Sequence, residues 1–472
     1  MEFEFDGVAV CREEFQDTVE SAQLIEVSPV SNITDNLAPL VLRVDKSDLV
    51  VDVTNTFLYV KAQLLHKDGS KLTYEDAEPT SRQKWWAKNK YGDKLDEMVK
   101  KAQEDENAVN PLPKRHLDIA PVDLFGYAMW ESVSLFITDQ KVSLNHAMYP
   151  WLAYVLHMTN YSQEAKKCQL RSALWYPDQA NFKDFHGDAR LQPTADYVNH
   201  GFAARRTIVS GSTPFEMFTR VVTDLHFPGR LTLPPNTECA FEFRRAPLRL
   251  CLHGEEHEYT LQFLECKLYV NRLKLTEQAL VKQHKLLSVG EIEFRGIRFD
   301  IRRVTAPKGE QIVDWNAFSG ALPRRIYVFM TRSTAEQGKM ERTPFNFEPF
   351  GMSSYQIFVN ETAFPVNSGV STKDVLREYM MTQYGLNFNN AFDIEPDDFA
   401  GGNFVLVTDL TADHSAGCVS YKSPLGSEGT VRVLLHFAKP LEEAVTVFCL
   451  AEIEGVLSVD KNRNPMWNQT DV

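Results

Sequence analysis

Three groups of residues in this chain have the types and spacing that chemistry uses. His253-Gly254-Glu255-Glu256-His257 matches H-x-x-E-H, a pattern in which two imidazoles hold zinc and a glutamate acts as base. That chemistry needs both histidines on one helix face. Gly254 interrupts, and the flanks at 248–252 and 259–264 read as strands, so a turn between strands is the better reading. Glu395-Pro396-Asp397-Asp398 is acidic enough for a cation but lacks the ligand spacing of a calcium loop. It reads as an acidic turn or a helix start before Phe399. Arginine pairs recur at Arg205/Arg206, Arg244/Arg245, Arg302/Arg303 and Arg324/Arg325. Guanidinium groups grip carboxylates with two bonds and are enriched at interfaces, so these eight are candidate subunit contacts. The rival reading for any one pair is a strand end, with one arginine solvated and one paired internally. The chain has no phosphate-binding glycine loop, no G-x-S-x-G elbow and no spaced Cys/His cluster. No catalytic residue, cofactor or metal is therefore expected.

The background is globular. Of 472 residues, 43% are hydrophobic and 24% charged, enough apolar material for more than one core. Two domains of roughly 200 residues follow as the expectation. Thirty Phe and 16 Tyr, with 23 Gly and 23 Pro for turns, favour β-rich architecture. A net charge of −14 does not attract phosphates globally, so no specific nucleic-acid site is expected. Cysteines stand at 11, 168, 239, 251, 266, 418 and 449, an odd number with no Cys-x-x-Cys. They read as small buried hydrophobes in a reducing compartment. The first 15 residues are acidic, unlike the basic start of a signal peptide. No run reaches the ~20 apolar residues of a membrane-spanning helix, so no transmembrane segment is expected.

The elements that must position these residues are mostly strands. Residues 1–21 read as a polar arm. Strand patterns follow at 24–27, 40–44 and 49–65, the last bent near Asn55. A charged insertion at 67–117 carries Trp85-Trp86 and a helical pattern at 94–106. A hairpin is predicted at 133–142 around Thr138-Asp139-Gln140, a buried helix at 147–158 and a second helix at 163–175. Residues 178–206 read as a surface loop, and strands resume at 215–226, 231–233 and 239–245. The charged turn at 252–259 reads as the domain boundary. Beyond it come a strand at 260–275, a helix at 276–287 and a strand at 291–304 kinked at Gly296. A helix at 372–384, capped by Ser371 or Thr372, precedes strands at 403–410, 431–437 and 445–454. Each half holds many strands split by loops with one or two helices, the pattern of two tandem jelly rolls in an all-β-dominated chain. The expected division is 1–21 arm, 22–252 first jelly roll, 253–459 second jelly roll and 460–472 tail.

Residues 322–360 carry the most distinctive pattern. Two β-type runs, 325–330 and 354–359, flank Thr343-Pro344-Phe345-Asn346-Phe347-Glu348-Pro349-Phe350. Neither proline can donate to a ladder, so this piece crosses a sheet edge or corner. The stretch resembles the major capsid proteins of Polinton/Maverick and adintovirus-like double-stranded DNA elements. Blocks at 51–61, 164–178, 301–308 and 456–464 resemble the same family in the same order. The 67–117 insertion departs from it. The resemblance marks Pro344, Phe345, Asn346 and Phe347 as a family-like structural motif. It implies a double jelly-roll structural protein, not an enzyme. It also implies homotrimers of pseudo-hexagonal outline tiling an icosahedral shell around double-stranded DNA, in the virion capsid. The implied partners are copies of itself and penton or minor capsid proteins. Two rivals stand beside this: a carbohydrate-binding or carbohydrate-processing β-sandwich, hinted at by Trp85-Trp86, and a zinc peptidase at His253 and His257.

Overall fold

The computed structural model describes residues 18–468 apart from 35–37, 73–86, 89, 105–118, 145–146, 182, 185–198, 365–374, 389–391, 393, 412–413 and 418–427. Two β-sandwiches make up the molecule, and all their strand pairs are antiparallel. In the first, one sheet runs β1 (Val19–Val27), β12 (Tyr259–Leu275), β3 (Val50–His66), β7 (Phe215–Arg220), with β9 (Thr232–Leu233) also on β3. Its partner sheet runs β2 (Leu40–Val44), β10 (Cys239–Arg245), β5 (Trp130–Ile137), β6 (Gln140–Lys141). Trp130 of β5 meets Phe263 of β12 across the layer, with ring centroids 5.8 Å apart. In the second sandwich, one sheet runs β18 (Val405–Asp409), β15 (Arg325–Arg332), β20 (Val445–Val459), β13 (Ile292–Ala306), β8 (Leu225–His226), with β21 (Pro465–Asn468) on β20. The other runs β14 (Ile312–Ala321), β19 (Glu428–Phe437), β16 (Met352–Val359), β17 (Thr362–Phe364). A small ribbon pairs β11 (Leu252–Gly254) with β4 (Ile119–Pro121).

Sequence patterning explains the strands. β3 and β19 alternate buried and part-exposed residues, as a strand does with one face on a core. β20 is buried along most of its length, because it is central in its sheet and covered on both faces. The expected bend near Asn55 is a bulge: pairing with β12 jumps between Thr56 and Asp52, and the Asp52 carboxylate accepts the Thr54 and Asn55 amides. The expected hairpin turns at Thr138 and Asp139, both at positive φ, the geometry of a tight two-residue β-turn.

Helices decorate the sheets, among them α1 (Leu95–Glu104), α2 (Tyr149–Asn160), α3 (His200–Val209), α4 (Glu277–Val289), α5 (Val375–Gly385) and α6 (Pro396–Ala400). Every residue of α2 except Asn160 is buried, as its all-round apolar sequence predicts. Residues 85 and 86 and the proposed cap at 371–372 lie outside the described residues.

The strand pairing corrects four sequence expectations. The strand at 259–275, assigned to the second jelly roll, lies between β1 and β3 in the first sandwich, so the division falls after Leu275 and not at 252. β8, from the first half, adds to the edge of the second sandwich through Ile297 and Arg298. Residues 465–468, assigned to a tail, pair with β20. The 178–206 loop ends in α3, which Asn199 caps by accepting the Phe202 amide. Gly296 also has a reason other than a kink: a Cβ there would lie 2.8 Å from the Phe227 ring.

Candidate functional site

The residues that the fold brings together most closely lie where the two sandwiches meet. α2 supplies Trp151 and Tyr154 from the first half, and the 343–350 crossing supplies Phe345 and Phe347 from the second. Tyr154 stacks on Phe345 with centroids 4.2 Å apart and planes 2° from parallel. Its other neighbours are Trp175 at 5.5 Å and Phe347 at 5.8 Å. Phe347 packs on Phe329 of β15, Phe329 stacks on Phe448 of β20, and Phe448 stacks on Trp151. The ring contacts therefore run from Tyr154 of α2 into the second half and back to Trp151 of the same helix. Each such pair contributes about 0.5–1.5 kcal/mol beyond simple burial. The Trp151 indole N–H donates to the Pro344 carbonyl at 3.2 Å. Phe347 exchanges two backbone hydrogen bonds with the segment before β18, through Gly402 and Phe404. Pro344, Phe345, Asn346 and Phe347 are all buried, so the motif is a core lock and not a surface loop.

Charge fills the polar side of the same junction. The buried Lys183 ammonium donates to the Phe345 carbonyl at 2.9 Å, the Gly402 carbonyl at 2.8 Å and Asn403 Oδ1 at 2.8 Å. Burial pulls its pKa down to about 8, against the opposing pull of Asp178 and Asp123. Gly402 sits at φ 123°, and a Cβ there would meet Asn346 Oδ1 and the Lys183 side chain. Asn346 donates its amide to Asp184 and Glu348. Arg332 spans Asp184, Glu348 and Glu443. Arg205, fully buried on α3, donates to the Pro121 carbonyl at 2.7 Å, the Tyr176 carbonyl and Asp178 at 2.6 Å. Beside it, burial pushes the Asp123 carboxyl up to about 6 although Arg205 draws it down. Asp123 also accepts the Leu124 and Tyr176 amides.

A second buried charge centre lies on β15 and β20. Glu452 accepts from Arg324 at 3.0 Å, from Arg325 at 3.3 Å and from the Tyr327 hydroxyl at 2.5 Å. Burial works against the carboxylate, yet Arg325 and Arg324 win and hold its pKa below the ordinary glutamate range. Arg325 also donates to the Gly385 carbonyl and Asn387, tying α5 to the sheet.

The arginine candidates therefore separate. Arg205, Arg324 and Arg325 spend their donors inside the subunit, which corrects the expectation that they face neighbours. A guanidinium so enclosed needs its carboxylate within reach, and each has one. Arg245 lies over the Phe263 ring at 4.0 Å and donates to the Ile33 carbonyl. Arg244, Arg302 and Arg303 keep side chains 45–60% exposed, beside Glu242, Asp300 and Glu336. Arg206 is half-buried on α3.

His253 and His257 share no helix. His253 is buried in β11 with its ring edge-on to Phe202, while His257 is exposed in the turn before β12. The zinc-peptidase geometry is thus not formed, and no group of three metal-type side chains converges among the described residues. Glu395 precedes α6, so the acidic run is a helix start with Asp397 and Asp398 in the first turn. No described helix is long and apolar enough to cross a membrane. Sequence reasoning missed Lys183, Asp123 and Glu452. Their partners lie up to 220 residues away, and no local pattern marks them.

Comparison with known proteins locates this architecture. No family model matches the chain. An uncharacterized protein of Caenorhabditis elegans is 23% identical over 385 residues, spanning 76% of this chain and 84% of that one. Among solved structures, a chain of the Sputnik virophage aligns with a TM-score of 0.61 at 10% identity, covering 99% of this chain and 93% of its own. The mavirus major capsid protein aligns at 0.52 and 10% identity, covering 95% and 90%. The Faustovirus major capsid protein aligns at 0.51 and 8% identity, covering 95% and 92%. With two antiparallel sandwiches in contact through one buried junction and these likenesses over nearly its whole length, the chain has the double jelly-roll fold found in viral major capsid proteins.

Proposed function

We propose that this protein is a major capsid protein. Three copies associate into a capsomer of pseudo-hexagonal outline, and capsomers tile an icosahedral shell around double-stranded DNA. The observation that carries this is the pair of sandwiches joined by one buried lock, in a fold matched almost end to end by the mavirus and Faustovirus major capsid proteins. Two lobes held rigidly in one subunit become six in a three-fold trimer, and six similar lobes pack hexagonally. The role is structural, without catalysis, and its site is the virion. Partners are copies of the chain, with penton or minor capsid proteins at vertices and seams.

A self-associating subunit needs an apolar contact face. On α5, Leu376, Met380 and Tyr384 recur four apart and stay 61%, 47% and 39% exposed. Phe388 continues the row at 56%, its ring 6.0 Å from Tyr384. Monomeric proteins rarely leave so continuous an apolar row uncovered. It supplies the centre of a contact of about 800 Å² per partner, the size that specific association needs. A neighbouring copy is its occupant in this reading, with Arg244, Arg302, Arg303 and Arg206 as surrounding polar contacts. Negative-stain imaging of concentrated protein tests the proposal. Three-lobed or six-lobed rings and closed particles are the expected images; fields of single two-lobed molecules at every concentration would overturn it.

A further inference from the structure

The turn at His253–His257 forms no zinc site, yet it helps to wall a cavity of about 300 Å³, a size at the lower end for small-molecule pockets. The floor is apolar: Leu252 and Met340 are buried and Leu248 is half-buried. Tyr259 forms one side, its ring stacked on His66 at 5.8 Å and its hydroxyl donating to the Glu255 carbonyl. Both halves of the chain contribute. Tyr259 opens β12 of the first sandwich, while Met340 comes from the second half and is held where its carbonyl accepts the Gly254 amide at 2.7 Å.

The rim is exposed and carries Lys67, Arg249, His257 and Glu258. Its two strong cations differ. Lys67 is spent on Glu258, 2.9 Å away. The Arg249 guanidinium makes no hydrogen bond or ion pair among the described residues, and its charge reaches Glu258 only through space. Its stem is nevertheless fixed. Gly338, at φ 87°, passes so close that a Cβ there would lie 3.2 Å from the Arg249 Cβ.

We propose that this cavity binds a small aromatic carboxylate, with its ring on Leu252, Met340 and Tyr259 and its carboxylate on Arg249. An aromatic side and a methionine sulfur both favour a flat ring between them. A guanidinium with free donors favours a carboxylate, which it can grip with two bonds. Inorganic phosphate would use the arginine and leave the floor wet. An uncharged aromatic amide would use the floor and leave the arginine idle. The site is independent of the capsid reading, since every wall comes from one chain.

Methyl spectra of the full-length protein test it, with the Met340 signal assigned by Met340→Leu. Phenylacetate should shift that signal saturably, with a Kd of about 1 mM as expected for so small a ligand. Arg249→Met keeps the stem beside Gly338 and removes the charge, so it should weaken binding about tenfold while the remaining methyl signals stay in place. Phenylacetamide should bind the parent about tenfold more weakly than the acid and should not distinguish parent from variant. No saturable shift at Met340 would overturn the inference. So would equal affinity for acid and amide, an Arg249→Met protein that binds like the parent, or an equal shift with inorganic phosphate alone.

Discussion

Arg205 and Lys183 show what single residues contribute here. Each is a cation removed from water, and each is tolerated because fixed oxygens replace its hydration. Arg205→Met would leave the Asp178 carboxylate buried without its partner, so unfolding stability should fall by about 3–5 kcal/mol. A denaturant midpoint within error of the parent would contradict that. His157 gives a pH test. It is buried in α2, where Nδ1 sits 2.7 Å from the Ala153 carbonyl and its ring stacks on Tyr161. Burial lowers its pKa to about 4 from an ordinary 6.5. The folded value lies below the unfolded one, so this contribution is intact above pH ~6.5 and is lost as pH falls toward 4. The loss should be on the order of 3 kcal/mol. His157→Phe should remove that part of the acid slope, and an unchanged difference between stabilities at pH 7 and pH 4 would refute it. At this scale the sequence was a poor guide. The Arg205/Arg206 pair was visible, but whether a guanidinium is inside or outside depends on Asp123 and Asp178, which only the folded chain brings near.

Elements were far more legible, because strand and helix periodicity is local. The bulge at Asn55, the hairpin at Thr138, the all-round apolar α2 and β13, β15, β16, β18, β19 and β20 of the second sandwich could be read from spacing alone, whereas β14, β17 and β21 were not. Which sheet a strand joins could not. Tyr259–Leu275 alternates like any strand, and the charged turn before it looks like a boundary, yet its register partners are β1 and β3. The 343–350 crossing stood out in the sequence because Pro344 and Pro349 cannot donate to a ladder. Its burial was not foreseen, because the rings that cover it come from α2, nearly 200 residues earlier. Phe345→Ala should cost about 3–5 kcal/mol and uncouple the lobes. Calorimetry should then resolve two transitions where the parent shows one. A single transition at the parental temperature would count against the crossing as the lock.

For the whole molecule, the lock matters because it ties the two lobes of the chain together. The double jelly-roll organisation was readable from strand content and family-like blocks. The exposed row of Leu376, Met380, Tyr384 and Phe388 was not, since in sequence it looks like any half-buried helix face. A charge on that row should separate copies without unfolding them: Met380→Glu should leave the melting temperature of the subunit nearly unchanged while abolishing the oligomer in sizing experiments. The central claim, that this fold exists to associate with itself, has a more direct test in the mass of the purified full-length protein in solution. Mass photometry across nanomolar to micromolar concentration should find a discrete species at three times 53.9 kDa, or larger closed particles. A single 53.9 kDa species at every concentration would contradict it.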